Sequence, residues 1–331
     1  MKFNPAEIEN SIFNIKNEDD FKEVALSVFQ FQAMTNSIYK EYLQLMNIEI
    51  NEITSIEQIP FLPIEFFKSH KVISGNRYVE VVFESSGTTG SIPSRHYVTN
   101  IEFYEKSFIN GFEFFYGSPE DYCILALLPS YMERQNSSLV FMVNELIDRS
   151  GNPDSGFYLH NIDELIVKLD TLNKSGQKTL LIGVTFALLD LAEQHELNLS
   201  NIIIMETGGM KGRREEIVRS ELHEILCKRL GVKKIHSEYG MTEMLSQAYS
   251  KGDGLFKSPP WLKILIRNVN DPMSIIGKNK TGGISIIDLA NINSCSFIAT
   301  QDLGRINKDD TFEVLGRFDN SDLRGCSLLV S

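Results

Sequence analysis

No apolar run in this sequence approaches the ~18 residues a membrane-crossing helix needs. The N-terminus lacks the apolar core of a secretory signal, since Lys2 is followed by polar residues and acids. Cysteine is sparse, and its four positions (Cys123, Cys227, Cys295 and Cys326) show neither a CxxC pair nor a Cys/His spacing that suits zinc. Basic excess is missing as well. The 32 Lys and Arg stand against 44 Asp and Glu, a net charge of −12, which suits neither nucleic acid nor an anionic membrane. The only local basic cluster, Lys211 to Arg214, fits a small anionic ligand better than DNA. Repeats and low-complexity linkers are absent. These absences leave a cytoplasmic protein with reduced thiols. Its 331 residues, 42% hydrophobic, suffice for two domains or one large α/β domain with a sizeable core.

What is present begins with an alternation. Phe21 to Met46 has apolar residues at helical spacing (Val24, Val28, Phe31, Ile38, Leu45), which predicts a long helix or a helix pair. Ile59-Pro-Phe-Leu-Pro63 breaks that pattern. Strands are expected at Tyr78–Phe83, Tyr122–Leu128, Lys178–Ile182, Asn201–Met205 and Val232–His236. Helices are expected at Asn100–Tyr116, Ser138–Ile147, Asp163–Leu172, Phe186–Gln194 and Arg214–Leu230. Apolar strands separated by helices of this length indicate βαβ units and a parallel sheet. Past Trp261 the pattern turns to short strands joined by turns (Leu262–Arg267, Gly283–Asp288, Ser296–Thr300, Thr311–Leu315), a meander or small barrel-like part. The fold class is therefore α/β with a smaller C-terminal β part.

Four segments can carry chemistry. Glu84-Ser-Ser-Gly-Thr-Thr-Gly90 follows a strand and offers backbone N–H groups and hydroxyls without bulk, as a phosphate chain requires. It is not a Walker A loop, because no Gly-Lys-Ser/Thr closes it. Glu206-Thr-Gly-Gly-Met210 follows another strand, where a glycine pair lets a flat ring approach the backbone at the carboxyl edge of a parallel sheet. Ser237-Glu-Tyr-Gly-Met-Thr-Glu243 concentrates a hydroxyl, two carboxylates and an aromatic ring. There Tyr239 can stack on a base, Thr242 can donate to a phosphate and Glu243 can hold Mg²⁺. Thr300-Gln-Asp-Leu-Gly-Arg305 places Asp302 after a buried strand end, suited to ribose hydroxyls, and Arg317 is a candidate phosphate or ribose contact. Taken singly, the last three segments read first as ordinary turns with solvated charges.

Their order and spacing carry more than any one of them. Together they resemble the adenylate-forming superfamily of acyl and aryl ligases, which includes firefly luciferase and peptide-synthetase adenylation domains. By that resemblance Ser85, Ser86, Gly87, Thr88, Thr89 and Gly90 hold ATP phosphates. Gly208, Gly209, Tyr239 and Gly240 meet the adenine, Thr242 and Glu243 the α-phosphate and Mg²⁺, and Asp302 the ribose. The departures are specific. Ser91-Ile-Pro-Ser-Arg95 stands where that family's loop ends in Pro-Lys, so Arg95 is a candidate stand-in; Gln301 replaces a glycine. The C-terminal lid domain of the larger members, with its adenylating lysine, is expected to be absent, and Lys211 is a candidate replacement.

A narrower resemblance covers nearly the whole chain. Pro60–Pro63 with Phe67-Lys68, Ser85–Thr88, Thr207–Lys211, Pro259-Pro-Trp261 and Gly325-Cys-Ser-Leu328 resemble the acyl-protein synthetases of the LuxE type. That resemblance implies an adenylate-forming (AMP-binding) domain over residues 1–315, with a helical part at 1–75 and a β subdomain at 255–315. A hinge-like motif and a tail carrying Cys326 would follow at 316–331. It implies ATP and Mg²⁺, a carboxylic acid substrate of the fatty acid type, an acyl-AMP intermediate, and transfer to Cys326 and on to a partner such as an acyl reductase. Two alternatives stay open: a ligase using coenzyme A or a carrier protein as the external thiol, and a nucleotide-binding scaffold without catalysis. Cys123, Cys227 and Cys295 fall in strand or helix patterns and are read as core, and His96 is within reach of the phosphate loop.

Overall fold

A computed structural model describes residues 5–86, 92–130, 132–208 and 217–318. The chain divides into two compact units: one joins the described residues up to Tyr78 with those from Pro260 onward, and the other is Val79–Pro259.

The first unit opens with helices α1 (Pro5–Ile12), α2 (Glu18–Thr35) and α3 (Ser37–Leu45), then a two-residue strand β1 (Leu62–Pro63) and a short helix α4 (Phe66–Ser69). The apolar spacing of 21–46 is split at Asn36, whose side chain accepts from the Tyr39 amide and caps α3. The break resets the helical phase. Tyr39 and Leu43 are the buried positions of α3, while Leu45 is exposed. Buried Gln32 and Asn36 supply the polar glue: Gln32 Nε2 donates to the carbonyls of Asn291 and Ile292 at 3.1 and 2.9 Å, and Asn36 Nδ2 to that of Ser294 at 2.9 Å.

The second unit holds the α/β alternation. A hairpin of β2 (Val81–Glu84) and β3 (Arg95–Val98) leads into α5 (Ile101–Tyr116), capped by Asn100. Then come β4 (Cys123–Leu127), α6 (Ser138–Ser150), β5 (Gly156–Phe157), α7 (Ile162–Ser175), β6 (Thr179–Val184), α8 (Thr185–Gln194), β7 (Ile202–Thr207), α9 (Arg219–Leu230) and β8 (His236–Tyr239). Strands β5, β4, β6, β7 and β8 pair in parallel. The short β9 (Ala248–Ser250) and β10 (Phe256–Lys257) extend the β8 edge antiparallel. β4 and β6 are buried throughout, because helices cover both faces of such a sheet. Phe103, Tyr104, Phe108 and Phe112 of α5 pack into the core, where Tyr104 stacks on Phe141 and meets Phe83 edge-on.

One expected strand is displaced. Val232–Ile235 do not pair; the strand is His236–Tyr239 and runs through the Ser237-Glu-Tyr segment itself. Gly231 caps α9 in the left-handed region at φ +68° and turns the chain, so pairing with β7 starts only at His236 opposite Met205. α9 is Arg219–Leu230, and the expected start at Arg214 lies outside the described residues.

The first unit closes with antiparallel strands β11 (Leu262–Arg267), β12 (Ile275–Ile276), β13 (Thr281–Asp288), β14 (Phe297–Ile306) and β15 (Phe312–Arg317), with β1 parallel to β14. Within this unit the N-terminal helices and the C-terminal strands share one core, with Phe29, Tyr39 and Phe61 all meeting Phe297. Buried Arg267 donates from its guanidinium to the carbonyls of Ile284 and Thr300. A Cβ on Gly283 would fall 2.6 Å from that guanidinium carbon, so the glycine clears its path. Among the described residues, no helix is long and apolar enough to cross a membrane.

Candidate functional site

The hairpin that carries the candidate phosphate loop is closed by its own base. Glu84 pairs with Arg95 across β2 and β3, the Ser85 amide donates to the Ser94 carbonyl at 3.0 Å, and the Ser94 amide donates to Ser85 Oγ at 2.9 Å. The Ser85 hydroxyl therefore accepts within the hairpin, and Ser86 is exposed. Arg95 Nε lies 3.0 Å from Glu84 Oε1, an ion pair that raises the guanidinium pKa through that hydrogen bond and charge. Gly87, Thr88, Thr89 and Gly90 lie outside the described residues.

The next strand over the loop carries a residue that joins two of the motifs. His96 on β3 is buried, and its Nδ1 lies 2.8 Å from the Thr242 carbonyl oxygen. A carbonyl can only accept, so the contact puts the imidazole proton on Nδ1. The hairpin that presents Ser85 and Ser86 is thereby tied to Thr242, next to the buried Glu243. His96 is expected to reach the phosphate loop, most of which lies outside the described residues, and its described contact is with the Tyr-Gly-Met-Thr-Glu segment. A histidine at strand spacing gives no hint of a partner 146 positions away.

β7 and β8 end side by side, and their register puts Glu206 beside Ser237 and Thr207 beside Glu238. Parallel neighbours share a face, so the two glutamates point to opposite sides of the sheet. Glu206 lies 3.2 Å from Arg219 Nε and 3.6 Å from His223 Nε2, both on α9. Burial alone would raise its carboxyl pKa, but the hydrogen bond from His223, the charge of Arg219 and the hydrogen bond from Ser237 bring it below the ordinary value. Thr185, the first residue of α8, donates to the Gly208 carbonyl at 2.6 Å and lies 3.3 Å from Glu206 Oε2. Gly208, at φ +65°, is thus held at the point where the chain leaves the sheet. Glu238 accepts from the Thr207 hydroxyl, yet burial, with the Glu206 charge adding to it, pushes its carboxyl up to about 7. None of Thr185, Arg219 or His223 announced itself as part of this site; helix starts and interiors show no chemistry in one dimension.

Tyr239, expected to stack on a base, is buried with its ring edge-on to Phe256 at 6.0 Å. His236 takes Tyr116 Oη at 3.0 Å, and burial, then Lys251 and Lys234, lowers its pKa to about 4, so the imidazole is neutral. Cys123 and Cys295 are buried, and burial pushes their thiols up to about 11 and about 12. They are core residues, not nucleophiles.

In the first unit, Asp302 is not at a strand end. It sits within β14, opposite Arg317 on β15, where the register shifts between Leu303 and Gly304. The ten-residue strand extends because both neighbours, β13 and β15, continue to pair with it as far as Arg305 and Ile306. Asp302 Oδ1 lies 3.4 Å from Arg317 Nε, and the arginine is largely exposed. Gln301 Nε2 donates to Glu65. Gly209, Lys211 and Cys326 lie outside the described residues.

The fold is that of adenylate-forming ligases. ATP-bound MatB from Rhodopseudomonas palustris matches with a TM-score of 0.54 at 18% identity, over 72% of this chain and 48% of that one. A long-chain-fatty-acid-CoA ligase, FadD1, from Archaeoglobus fulgidus matches with a TM-score of 0.54 at 18% identity, over 76% of this chain and 54% of that one. The open conformation of 2-hydroxyisobutyryl-CoA ligase, in complex with 2-HIB-AMP and CoA, matches with a TM-score of 0.63 at 11% identity, over 92% and 72%. The chain spans about half the length of the MatB structures it matches. More narrowly, the chain belongs to the acyl-protein synthetase family, LuxE, whose pattern matches residues 10–331. No curated protein matches it.

Proposed function

We propose that this chain is an ATP-dependent ligase that activates a carboxylic acid as its acyl-adenylate and passes the acyl group to a thiol, Cys326 of its own tail. The observation that carries the reading is the His96–Thr242 contact, which joins the Ser85–Ser86 hairpin to the Thr242–Glu243 segment within one compact unit. Gly208 and the Thr242–Glu243 segment follow β7 and β8, neighbouring parallel strands, where ligands of open α/β folds bind, and the Ser85–Ser86 hairpin is a separate two-stranded sheet. An oxygen of the acid attacks the α-phosphorus of ATP, and the bond to pyrophosphate breaks. This chain contributes alignment and charge neutralisation. The Ser85–Gly90 loop and Thr242 hold phosphate oxygens, Tyr239, Gly208, Gly209 and Gly240 the adenine, and Asp302 the ribose, with Arg317 beside it. Mg²⁺ would neutralise phosphate charge, and the buried carboxylate of Glu243 is the hard oxygen donor that fits it. Lys211 is assigned the role of the adenylating lysine, and Arg95 that of the loop lysine.

In the second half-reaction the Cys326 thiolate attacks the acyl carbonyl, the bond to the AMP phosphate oxygen breaks, and AMP leaves with the electron pair. The thioester would then pass to a partner such as an acyl reductase. Carboxylate-dependent ATP–pyrophosphate exchange tests the first half; absence of exchange across a broad panel of acids would refute it. Radiolabelled acid tests the second. A Cys326→Ala protein that retains label as well as wild type removes Cys326 from the mechanism.

A further inference from the structure

β14 bulges at the residues that present Asp302. Its pairing with β13 sets Gly283 opposite Leu303 and Ser285 opposite Ala299. Ile284 alone therefore faces Thr300, Gln301 and Asp302, and β14 bows away from its neighbour there. A bulge interrupts the ladder, so its buried backbone groups need partners from elsewhere.

Arg267 supplies the first of them. Its buried guanidinium crosses from β11 over Gly283 and donates to the carbonyls of Ile284 and Thr300, one on each side of the bulge. The buried Thr300 hydroxyl carries the network on. It donates to the Ile284 carbonyl at 2.9 Å and accepts from the Asp302 amide at 3.1 Å. Phe318 closes the middle of the bulge: its amide donates to the Gln301 carbonyl at 2.8 Å, and its ring centroid lies 5.5 Å from the guanidinium carbon. A path of hydrogen bonds thus runs from a buried cation, through one hydroxyl, to the backbone of Asp302, whose carboxylate stands beside the exposed Arg317. Every member belongs to the first unit.

The residue type suits this task. A planar guanidinium bridges two carbonyls with two fixed N–H directions, whereas a lysine ammonium is a single point charge on a flexible stem. Bulges re-aim side chains, and here the arginine fixes how far β14 bows and so where Asp302 points.

We infer that Arg267 is a positioning residue for nucleotide recognition: by holding the β14 bulge open, it aims the Asp302 carboxylate at the two ribose hydroxyls. It touches neither nucleotide nor acid. The inference rests on the assignment of Asp302 to the ribose and adds the residue that aims it.

Calorimetric binding of ATP and of 2′,3′-dideoxy-ATP, both with Mg²⁺, tests it. Wild type is expected to bind ATP tighter by about tenfold or more, because hydroxyls that donate to a carboxylate make charge-assisted hydrogen bonds. Arg267→Lys keeps the charge without the fork, and Thr300→Val keeps the shape without the hydroxyl. Each should weaken ATP binding and leave dideoxy-ATP binding near wild type, so the preference shrinks severalfold. A merely structural role weakens both nucleotides alike. Equal weakening, or an unchanged preference in a variant that stays folded, overturns the inference. If Arg267→Lys does not fold, Thr300→Val decides alone. ATP–pyrophosphate exchange on wild type keeps the two readings apart. Exchange without any preference for ATP over dideoxy-ATP overturns the role of Arg267 and leaves adenylation standing. A ribose preference that the variants lose, with no exchange for any acid, upholds the role of Arg267 and removes adenylation.

Discussion

Glu206 and Glu238 end neighbouring parallel strands, both are buried, and their carboxyls are pushed in opposite directions. Glu206 faces Arg219 and His223 on α9, and the His223 hydrogen bond, the Arg219 charge and the Ser237 hydrogen bond outweigh the burial that would otherwise raise its pKa. Glu238 faces the α5 side, where a single Thr207 hydroxyl does not offset burial and the Glu206 charge works against ionisation. Depth in the protein is the same for both; the partners decide the charge. The sheet thus offers a fixed anion on one face and a switchable, hydrogen-bonding carboxyl on the other. The first anchors Gly208 and the start of α9 through Thr185 and Arg219, and the second packs against Gly240.

The largest expected effect comes from breaking the anion side. Glu206→Gln removes the partner of Arg219 and His223, and a loss on the order of 3 kcal/mol is expected in urea unfolding at neutral pH. A loss below ~1 kcal/mol would mean that Arg219 re-solvates and the pair adds little. The switchable side is read from pH. Below the ordinary value of 4.5 the Glu238 carboxyl is neutral in both folded and unfolded chains. As pH rises toward about 7 the unfolded chain ionises first, so the stability of the neutral buried form is progressively lost, then levels off. Glu238→Gln, neutral throughout, should gain melting temperature relative to wild type across that window; a difference that does not vary with pH would show that Glu238 is not held neutral.

His96 sharpens the comparison by acting across motifs. His96→Leu leaves the Thr242 carbonyl without its donor, and exchange should fall about tenfold in kcat/KM through misplacement of Thr242 and Glu243. An unchanged rate would detach the hairpin from the site. The smallest structural effect belongs to Arg95→Ala. Its ion pair with Glu84 is half exposed, so melting should not move, whereas a raised KM for ATP would mark Arg95 as the phosphate contact that replaces the loop lysine.

Legibility in the sequence followed the range of each signal. The βαβ alternation was readable because burial on both faces writes a continuous apolar run, as in β4 and β6. The Asn100 cap and the break near Pro60 were readable because they are local. The helical phase past Asn36 was not, since a cap side chain bonding to loop residues more than 250 positions away restarts it. Nor was the β8 boundary: Val232–Ile235 look like a strand, and only the register with β7 says that pairing begins at His236. Asp302 showed the same limit, placed within β14 by two neighbours that lengthen it.

Composition and motif order determined the class of protein: an α/β chain with a Ser/Gly/Thr-rich loop lacking a Walker lysine, a glycine pair and a Tyr-Gly-Met-Thr-Glu segment in one order. Those are properties of residue type and spacing along the chain. The tertiary structure decided which groups share a face and which carry charge. The union of His96 with Thr242, the opposite titration of Glu206 and Glu238, and the reach of Arg267 to the β14 bulge all arise from strand register and burial. Hydrogen bonding and desolvation act over a few ångströms of space, and the sequence states only separation along the chain.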